Sequence, residues 1–269
     1  MDAPRLGVIL IHHRMAEHLR GCLRSIERQK TPWPLATVVV HLRTEEDPGE
    51  WIGQEFPWVR MEWASRFGIS HMRNIGLRAV DDAPHAMTLD ADARLGAGAL
   101  EALVRFAEET PRAAMVAPRT LRPDGSLEYN AKRFYDWTTV AVRRSPLRKL
   151  WPGNPWSRWH LMLDQDHSRP FDCDWAAGAC MLLAAAARRE IGEFDERFTF
   201  GFEDVDWCYR AIQAGWRVCY CPAASIEHHV QRLSAGGFNA MTREHLKSLW
   251  RFWRKHGRLN IKKRHAQNG

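Results

Sequence analysis

The sequence predicts an α/β protein built on one mostly parallel sheet with helices on both faces. Three observations carry that expectation. Residues 6–12 (LGVILIH) form a continuous apolar run, as in a strand buried on both faces. Strand-like runs then alternate with segments of helical apolar spacing, the rhythm of strands joined by crossover helices. The run 84–90 ends on an acid, and sheets of this class bind ligands beyond the carboxyl ends of their strands.

The elements follow in order. Residues 15–29 place Met15, Leu19, Leu23 and Ile26 at helical spacing, and 36–42 (ATVVVHL) is β-branched and strand-like. Residues 58–63 alternate, 70–80 read as a helix, and 84–90 as a strand. Residues 98–109 form a strongly amphipathic helix, followed by a strand at 113–118. The character changes over 119–170: a Pro-Asp-Gly turn signal at 123–125 precedes a Trp- and Arg-rich stretch with prolines at 146, 152 and 155. It reads as an irregular insertion covering one side of a cleft. Order returns over 171–192 as a strand, a small-residue turn, a second strand and a helix. Residues 203–216 are a helix with acids in its first turn, 216–222 and 225–230 are short strands, and a basic helix spans 240–256.

The 269 residues are 45% hydrophobic and 26% charged, ordinary for a globular protein. No stretch approaches the roughly 20 apolar residues of a spanning helix. The N-terminal run lacks the basic flank and cleavage site of a secretory signal, so a cytoplasmic location is expected. The six cysteines form no CxxC pair and read as buried, reduced thiols. The net charge of +7 is concentrated: residues 243–264 hold nine Lys/Arg and one Glu, leaving 30 basic and 31 acidic residues elsewhere. That distribution argues against a nucleic-acid groove across the domain.

Four groups of residues stand out. Asp90 and Asp92 follow a buried strand, and two carboxylates so close repel unless a cation lies between them. Hard oxygen ligands suit Mg2+ or Mn2+ together with substrate phosphates; a pair of solvated acids or a cap for the next helix reads equally well. Glu203, Asp204 and Asp206 open a helix between aromatics. They favour its N-terminal dipole, or one of them serves as a general base. His228 and His229 adjoin on a strand, so at most one faces a cleft, as a ligand or as packing. In Asp174-Trp175-Ala176-Ala177-Gly178-Ala179, small residues permit close backbone approach and Trp175 offers a flat face for a sugar or base, unless the segment is ordinary tight packing.

Taken in order, Arg73-Asn74-Ile75-Gly76, Leu89-Asp90-Ala91-Asp92, Asp174-Trp175 with Gly178-Ala179, the 192–198 segment Gly-Glu-Phe-Asp-Glu-Arg-Phe, Glu203-Asp204-Val205-Asp206, Ala214-Gly215-Trp216 and His228 resemble the family 2 glycosyltransferases. Within that family the chain most resembles the rhamnosyltransferase-like branch of bacterial polysaccharide synthesis, over about residues 6–256. The resemblance implies a GT-A fold, a nucleotide-diphosphate-sugar donor, a divalent metal (Mg2+ or Mn2+) and inversion at the anomeric carbon. It implies Asp90 on the nucleotide side, Asp92 and His228 at the metal and diphosphate, and Asp204 as catalytic base with Glu203 beside it. Arg73 and Asn74 would line the nucleotide pocket, with Gly178 and Ala179 under the donor sugar. The chain departs in two places: His12-His13-Arg14 stands where Thr-Tyr-Asn is usual, and His41 stands where an Asp reads the base. His12, Arg14 and His41 are therefore expected to contact the nucleotide in place of those residues.

The implied boundaries are a transferase domain at 1–239, with a nucleotide-binding half (1–118) and an acceptor and catalytic half (119–239), then a basic helix and tail at 240–269. Two other readings compete with a transferase taking a dTDP-deoxysugar such as dTDP-rhamnose to a glycan or lipid-linked acceptor. A nucleotidyltransferase would need a Gly-rich phosphate loop that 10–18 does not offer. A carbohydrate-binding protein could use the thirteen tryptophans but has no need of Asp90, Asp92 and Asp204 together. In the tail, Leu246, Leu249, Trp250 and Trp253 share one helical face opposite basic residues. That suits peripheral attachment to anionic lipid, or packing on the domain.

Overall fold

A computed structural model describes residues 5–43, 47–145, 150–151, 153–229 and 240–257. The first part of the chain runs β1 (Leu6–His12), α1 (Ala16–Glu27), β2 (Leu35–Leu42), α2 (Gly49–Glu55), β3 (Val59–Ala64), α3 (Ile69–Ala79), β4 (His85–Asp90), β5 (Ala93–Leu95), α4 (Ala99–Glu109) and β6 (Ala113–Leu121). There follow β7 (Leu127–Glu128), β8 (Ala131–Lys132), α5 (Trp137–Arg144), α6 (Pro155–His160), β9 (Phe171–Asp172), β10 (Trp175–Ala176), β11 (Cys180–Ala184), α7 (Ala185–Ile191), α8 (Glu203–Gln213), β12 (Arg217–His228) and α9 (Ala240–His256).

Among the described residues the main sheet has the order β3-β2-β1-β4-β11-β6-β12-β5, with β7 beside β6 and β9 beside β12. Strands β1 to β4 run parallel, and β12 runs parallel to β6. Strand β11 is antiparallel to both β4 and β6. The side-chain period of two divides β1 between two cores. Leu6, Val8 and Leu10 join the core shared with α1, α2 and α4, and Ile9 joins the one shared with α3, α7 and α8. Helix α3 lies close on β1 because Gly76 has no side chain: a Cβ there would sit 2.2 Å from Ile9 Cγ2.

The mixed, mostly parallel sheet and its flanking helices match the expected fold class. Two expectations change. The segments 216–222 and 225–230 belong to one strand, β12, broken in register between Cys221 and Ser225. Pro222 lies in that interval and has no N–H to donate to a ladder, so the strand bulges there. The 119–170 region is more ordered than expected: its first residues extend β6, and it contains β7, β8, α5 and α6. Phe134 and Met162 reach the core, and Arg133 ties the region together through the Asp164 carboxylate (2.6 and 2.8 Å) and the Trp159 carbonyl (2.7 Å). Helix α2 and strand β5, at seven and three residues, are too short to carry a clear periodic signal and go unseen in the sequence. All six cysteines are free and buried.

Candidate functional site

Strand β4 delivers Asp90 to the carboxyl edge of the sheet, where its N–H donates to the Ala179 carbonyl at 2.9 Å. The chain then turns through Ala91 and Asp92 into β5, which pairs with β12 so that Ala93 opposes His228. The Asp92 carbonyl accepts the His229 N–H at 2.9 Å, locking the turn to the end of β12. Asp90, Asp92 and His228 thereby each offer one ligand atom, all within 4.8 Å of one another. His228 Nε2 lies 3.4 Å from Asp92 Oδ1, and its ring faces the acids while that of His229 faces His18.

Two carboxylate oxygens and one imidazole nitrogen fit a hard divalent cation such as Mn2+ or Mg2+. The electrostatics fit too. Burial raises the pKa of the Asp90 carboxyl, Arg73 opposes the rise and Asp92 adds to it. Burial would hold His228 neutral, but the Asp92 and Glu128 carboxylates outweigh it and push the imidazole up to about 10. The acids thus draw positive charge to this point.

Arg73, on α3, is the hub beneath the site. Its buried guanidinium donates to Asp90 Oδ1 at 3.1 Å, to Glu203 Oε1 at 2.9 Å and to the Gly178 carbonyl at 2.8 Å. The lack of a side chain at Gly178 leaves room for the guanidinium: a Cβ would lie 2.8 Å from Arg73 Nη2. Helix α8 begins after two left-handed residues, Gly201 (φ +72°) and Phe202 (φ +69°), which turn Glu203 and Asp204 inward. Asp204 Oδ2 accepts the Gly178 N–H at 3.0 Å, and Oδ1 accepts its neighbour Val205 N–H at 2.8 Å. Burial and the adjacent Asp204 push Glu203 up to about 7 despite Arg73. Burial also raises Asp204, with Arg73 opposing. The carboxylate pair is therefore better suited to exchanging protons near neutral pH than an exposed pair.

The other expected site residues separate into those that face the cleft and those that support it. Asn74 is buried and exchanges hydrogen bonds with both the N–H and the carbonyl of Phe194, each at 2.9 Å. It and Arg73 are both buried, and their hydrogen bonds tie the wall of the site together. Trp175 is not an open platform. Pairing of β10 with β8 buries it, its indole N–H donates to the Arg133 carbonyl at 3.0 Å, and Lys132 Nζ lies 4.4 Å from its ring centre. Ala179 is buried beside Asp90. At the ends of β1 and β2, His12 and His41 stack with Nδ1 atoms 2.9 Å apart. His12 lines a cleft of about 350 Å³ with exposed Arg14, Met15, Glu17, His18 and Trp51. His41 lies behind it, edge-on to Trp63, and so supports His12 from a deeper layer.

In the C-terminal helix, α9, the inward face differs from the expected one. Leu249 and Phe252 enter the core, Trp253 packs partly against it, and Trp250 is 58% exposed. Lys255 and His256 both reach the buried Asp206 at 2.7 Å, so Asp206 anchors this helix and is turned away from the cleft. Residues 258–269 of the expected tail lie outside the described residues. No described helix is long and apolar enough to cross a membrane.

Sequence reasoning misses Glu128, whose Oε2 lies 3.2 Å from His228 Nδ1. The only signal is the Pro-Asp-Gly turn, which implies a hairpin and hence a returning strand.

Several known proteins resemble this chain. The model of a family described as "Glycosyltransferase like family 2" matches residues 16–258. The N-acetylglucosaminyl-diphospho-decaprenol L-rhamnosyltransferase of Mycobacterium tuberculosis is 32% identical over 152 residues, 56% of this chain and 48% of that protein. The rhamnosyltransferase WbbL of Escherichia coli is 34% identical over 79 residues, 29% of this chain and 30% of that one. The chain thus spans half or less of these relatives' lengths. Among solved structures, GalNAc-T7 with UDP, GalNAc and Mn2+ superposes over 93% of this chain and 48% of its own (TM-score 0.67, 15% identity). The mannosyltransferase PcManGT of Pyrobaculum calidifontis, with GDP-Man and Mn2+, covers 95% of this chain and 64% of its own (TM-score 0.59, 18% identity). At these identities the likeness establishes a shared GT-A fold.

Proposed function

The chain belongs to the glycosyltransferase-like family 2, and from that premise we propose that it is a metal-dependent inverting glycosyltransferase. The donor would be a nucleotide-diphosphate sugar, a deoxyhexose such as rhamnose given the relatives' activities. The acceptor would be a hydroxyl of a glycan or of a lipid-linked glycan, as the name of the mycobacterial relative describes for that protein. The observation that carries the reading is the convergence of Asp90, Asp92 and His228 at the strand ends, joined through Arg73 to the buried pair Glu203 and Asp204.

Asp90, Asp92 and His228 would hold Mn2+ or Mg2+, which when bound supplies Lewis-acid assistance to a departing diphosphate. Asp204 would take the proton from the acceptor hydroxyl as its oxygen attacks the anomeric carbon. The new C–O bond forms as the bond to the diphosphate breaks, and the nucleoside diphosphate leaves with the bonding pair. One in-line displacement inverts the configuration without a covalent enzyme intermediate. Arg73 would keep Asp90 and Glu203 in place across the two halves of the site. Gly178, with its carbonyl on Arg73 and its N–H on Asp204, would form the floor beneath the donor sugar. His12 and Arg14 would meet the nucleotide from the cleft at the end of β1, with His41 behind them.

If the acceptor is lipid-linked, we place peripheral contact with the inner membrane face on the outer side of α9. There Trp250 is exposed and Arg254 stacks over it at 5.2 Å.

The decisive experiment is a thermal-shift series with UDP, dTDP and GDP, each with and without Mn2+ or Mg2+. Metal-dependent stabilisation by at least one is expected; stabilisation by none would end the transferase reading.

A further inference from the structure

We propose that Glu128 is a positioning residue for the metal centre, acting only through His228: it accepts the hydrogen bond from Nδ1–H and so presents Nε2 to the cation. This inference rests on the metal reading above.

Its basis is geometric. Strand β7 is the return arm of a hairpin from β6, with Thr120 opposite Glu128 and Leu121 opposite Leu127. The turn is built to hold its register. Gly125 takes φ +79°, Asp124 Oδ1 accepts the Ser126 N–H at 2.9 Å, and Arg122 Nη1 donates to the Leu127 carbonyl at 2.7 Å. On the other side of β6, Glu227 of β12 opposes Leu121. One strand, β6, therefore sets both Glu128 and His228. Glu128 Oε2 comes to 3.2 Å from His228 Nδ1 while Nε2 of the same ring points at Asp92 Oδ1, 3.4 Å away. The ring is thus spanned by two carboxylates, one on each nitrogen, and the group whose ligand atoms converge includes Asp92 on the Nε2 side and not Glu128.

An imidazole that binds a cation through one nitrogen must be deprotonated there and carry its remaining proton on the other. A carboxylate at that second nitrogen fixes the tautomer, orients the ring and makes the ligating nitrogen more basic. Glu128 has the position and the chemistry for this role. It lies outside the converging group, on a hairpin of the 119–170 region, which the sequence reads as an insertion covering one side of a cleft. That region then has a second role, supporting the metal centre from the side opposite the Asp90–Asp92 turn.

The test is a double-mutant cycle read as Mn2+ affinity. Free Mn2+ is counted by electron paramagnetic resonance, alone and with added UDP, dTDP or GDP, for the wild type, Glu128→Ala, Glu128→Gln, His228→Ala and the double variant. Glu128→Ala should weaken Mn2+ binding roughly 10–100-fold, and Glu128→Gln, whose amide oxygen still accepts from Nδ1, by less. In the His228→Ala background, Glu128→Ala should change nothing further, since a residue acting through His228 has no route left. An equal loss in both backgrounds would overturn the proposal, making Glu128 a ligand or a general support. So would unchanged affinity in Glu128→Ala. Absence of Mn2+ binding by the wild type, or its indifference to His228→Ala, would instead remove the metal reading itself. Chemical denaturation of each variant without metal separates loss of binding from loss of folding.

Discussion

Replacing Arg73 with Met keeps the bulk of an unbranched side chain and deletes the guanidinium between Asp90, Glu203 and the Gly178 carbonyl. The guanidinium is buried, so three acids (Asp90, Glu203 and Asp204) lose the cation that opposes their pKa rise. Removing one partner of such a buried network costs about 3–5 kcal/mol, because the charges left behind are not solvated. The penalty should depend on pH with a definite sign. Glu203 stands at about 7 in the folded protein against 4.5 ordinarily. A raised pKa means that its stabilising contribution is complete below the unfolded value and is lost as pH rises through the folded value. Without Arg73 the folded pKa climbs further, so an ionised Glu203 is worst tolerated in the variant at high pH. Denaturant unfolding at about pH 8 and about pH 5.5 should show the full difference at the higher pH and a smaller one at the lower. A difference below about 1 kcal/mol at pH 8, or one unchanged by acid, would refute the view of Arg73 as the charge hub of the site.

Asp204→Asn should lower transfer by about 10²–10⁴-fold while leaving metal-dependent stabilisation by the nucleoside diphosphate intact; retained transfer would move the base to Glu203. Phe252→Ala should destabilise the protein by about 3–5 kcal/mol, because Phe252 is fully buried between α9 and the ring of Phe202. A loss typical of surface substitutions, within about 0.5 kcal/mol, would mean that the helix is not docked as described. In flotation with anionic vesicles, Trp250→Ser combined with Arg254→Glu should reduce recovery with the lipid, and equal recovery of both forms would remove the membrane role from α9.

Much of the fold is legible in local pattern. Burial on both faces makes β1 and β2 continuous apolar runs, and the helical repeat of α1, α3 and α4 shows in single-sequence spacing because each has one buried stripe. The same logic puts Asp90 and Asp92 at a strand end and Glu203 and Asp204 in a first helical turn, which is where they lie. Local pattern fails where neighbours in space decide the outcome. Trp175 has the chemistry of a ligand platform, but nothing in its flanking residues announces the pairing of β10 with β8 that covers it. The inward face of α9 escapes the sequence in the same way. Leu246 and Trp250 satisfy helical periodicity as well as Phe252 does, and the surface of Phe202, Asp206 and Tyr209 decides between them.

Chain order alone determines the kind of chemistry: acids at strand ends, a small-residue floor, an acid pair and a histidine, each type set by what it can bind or exchange. Which group touches which is a different matter. Arg73 and Asn74 are adjacent on one helix, and adjacency suggests a shared pocket. Helix α3 instead aims one at Asp90 and Glu203 and the other at Phe194, 120 positions away in sequence. The contact from Glu128 to His228 spans 100 positions and exists because β6 pairs with β7 on one edge and β12 on the other. Residue type is a local property and survives in the sequence. Convergence depends on strand register and helix packing, which arise only when the whole sheet is assembled.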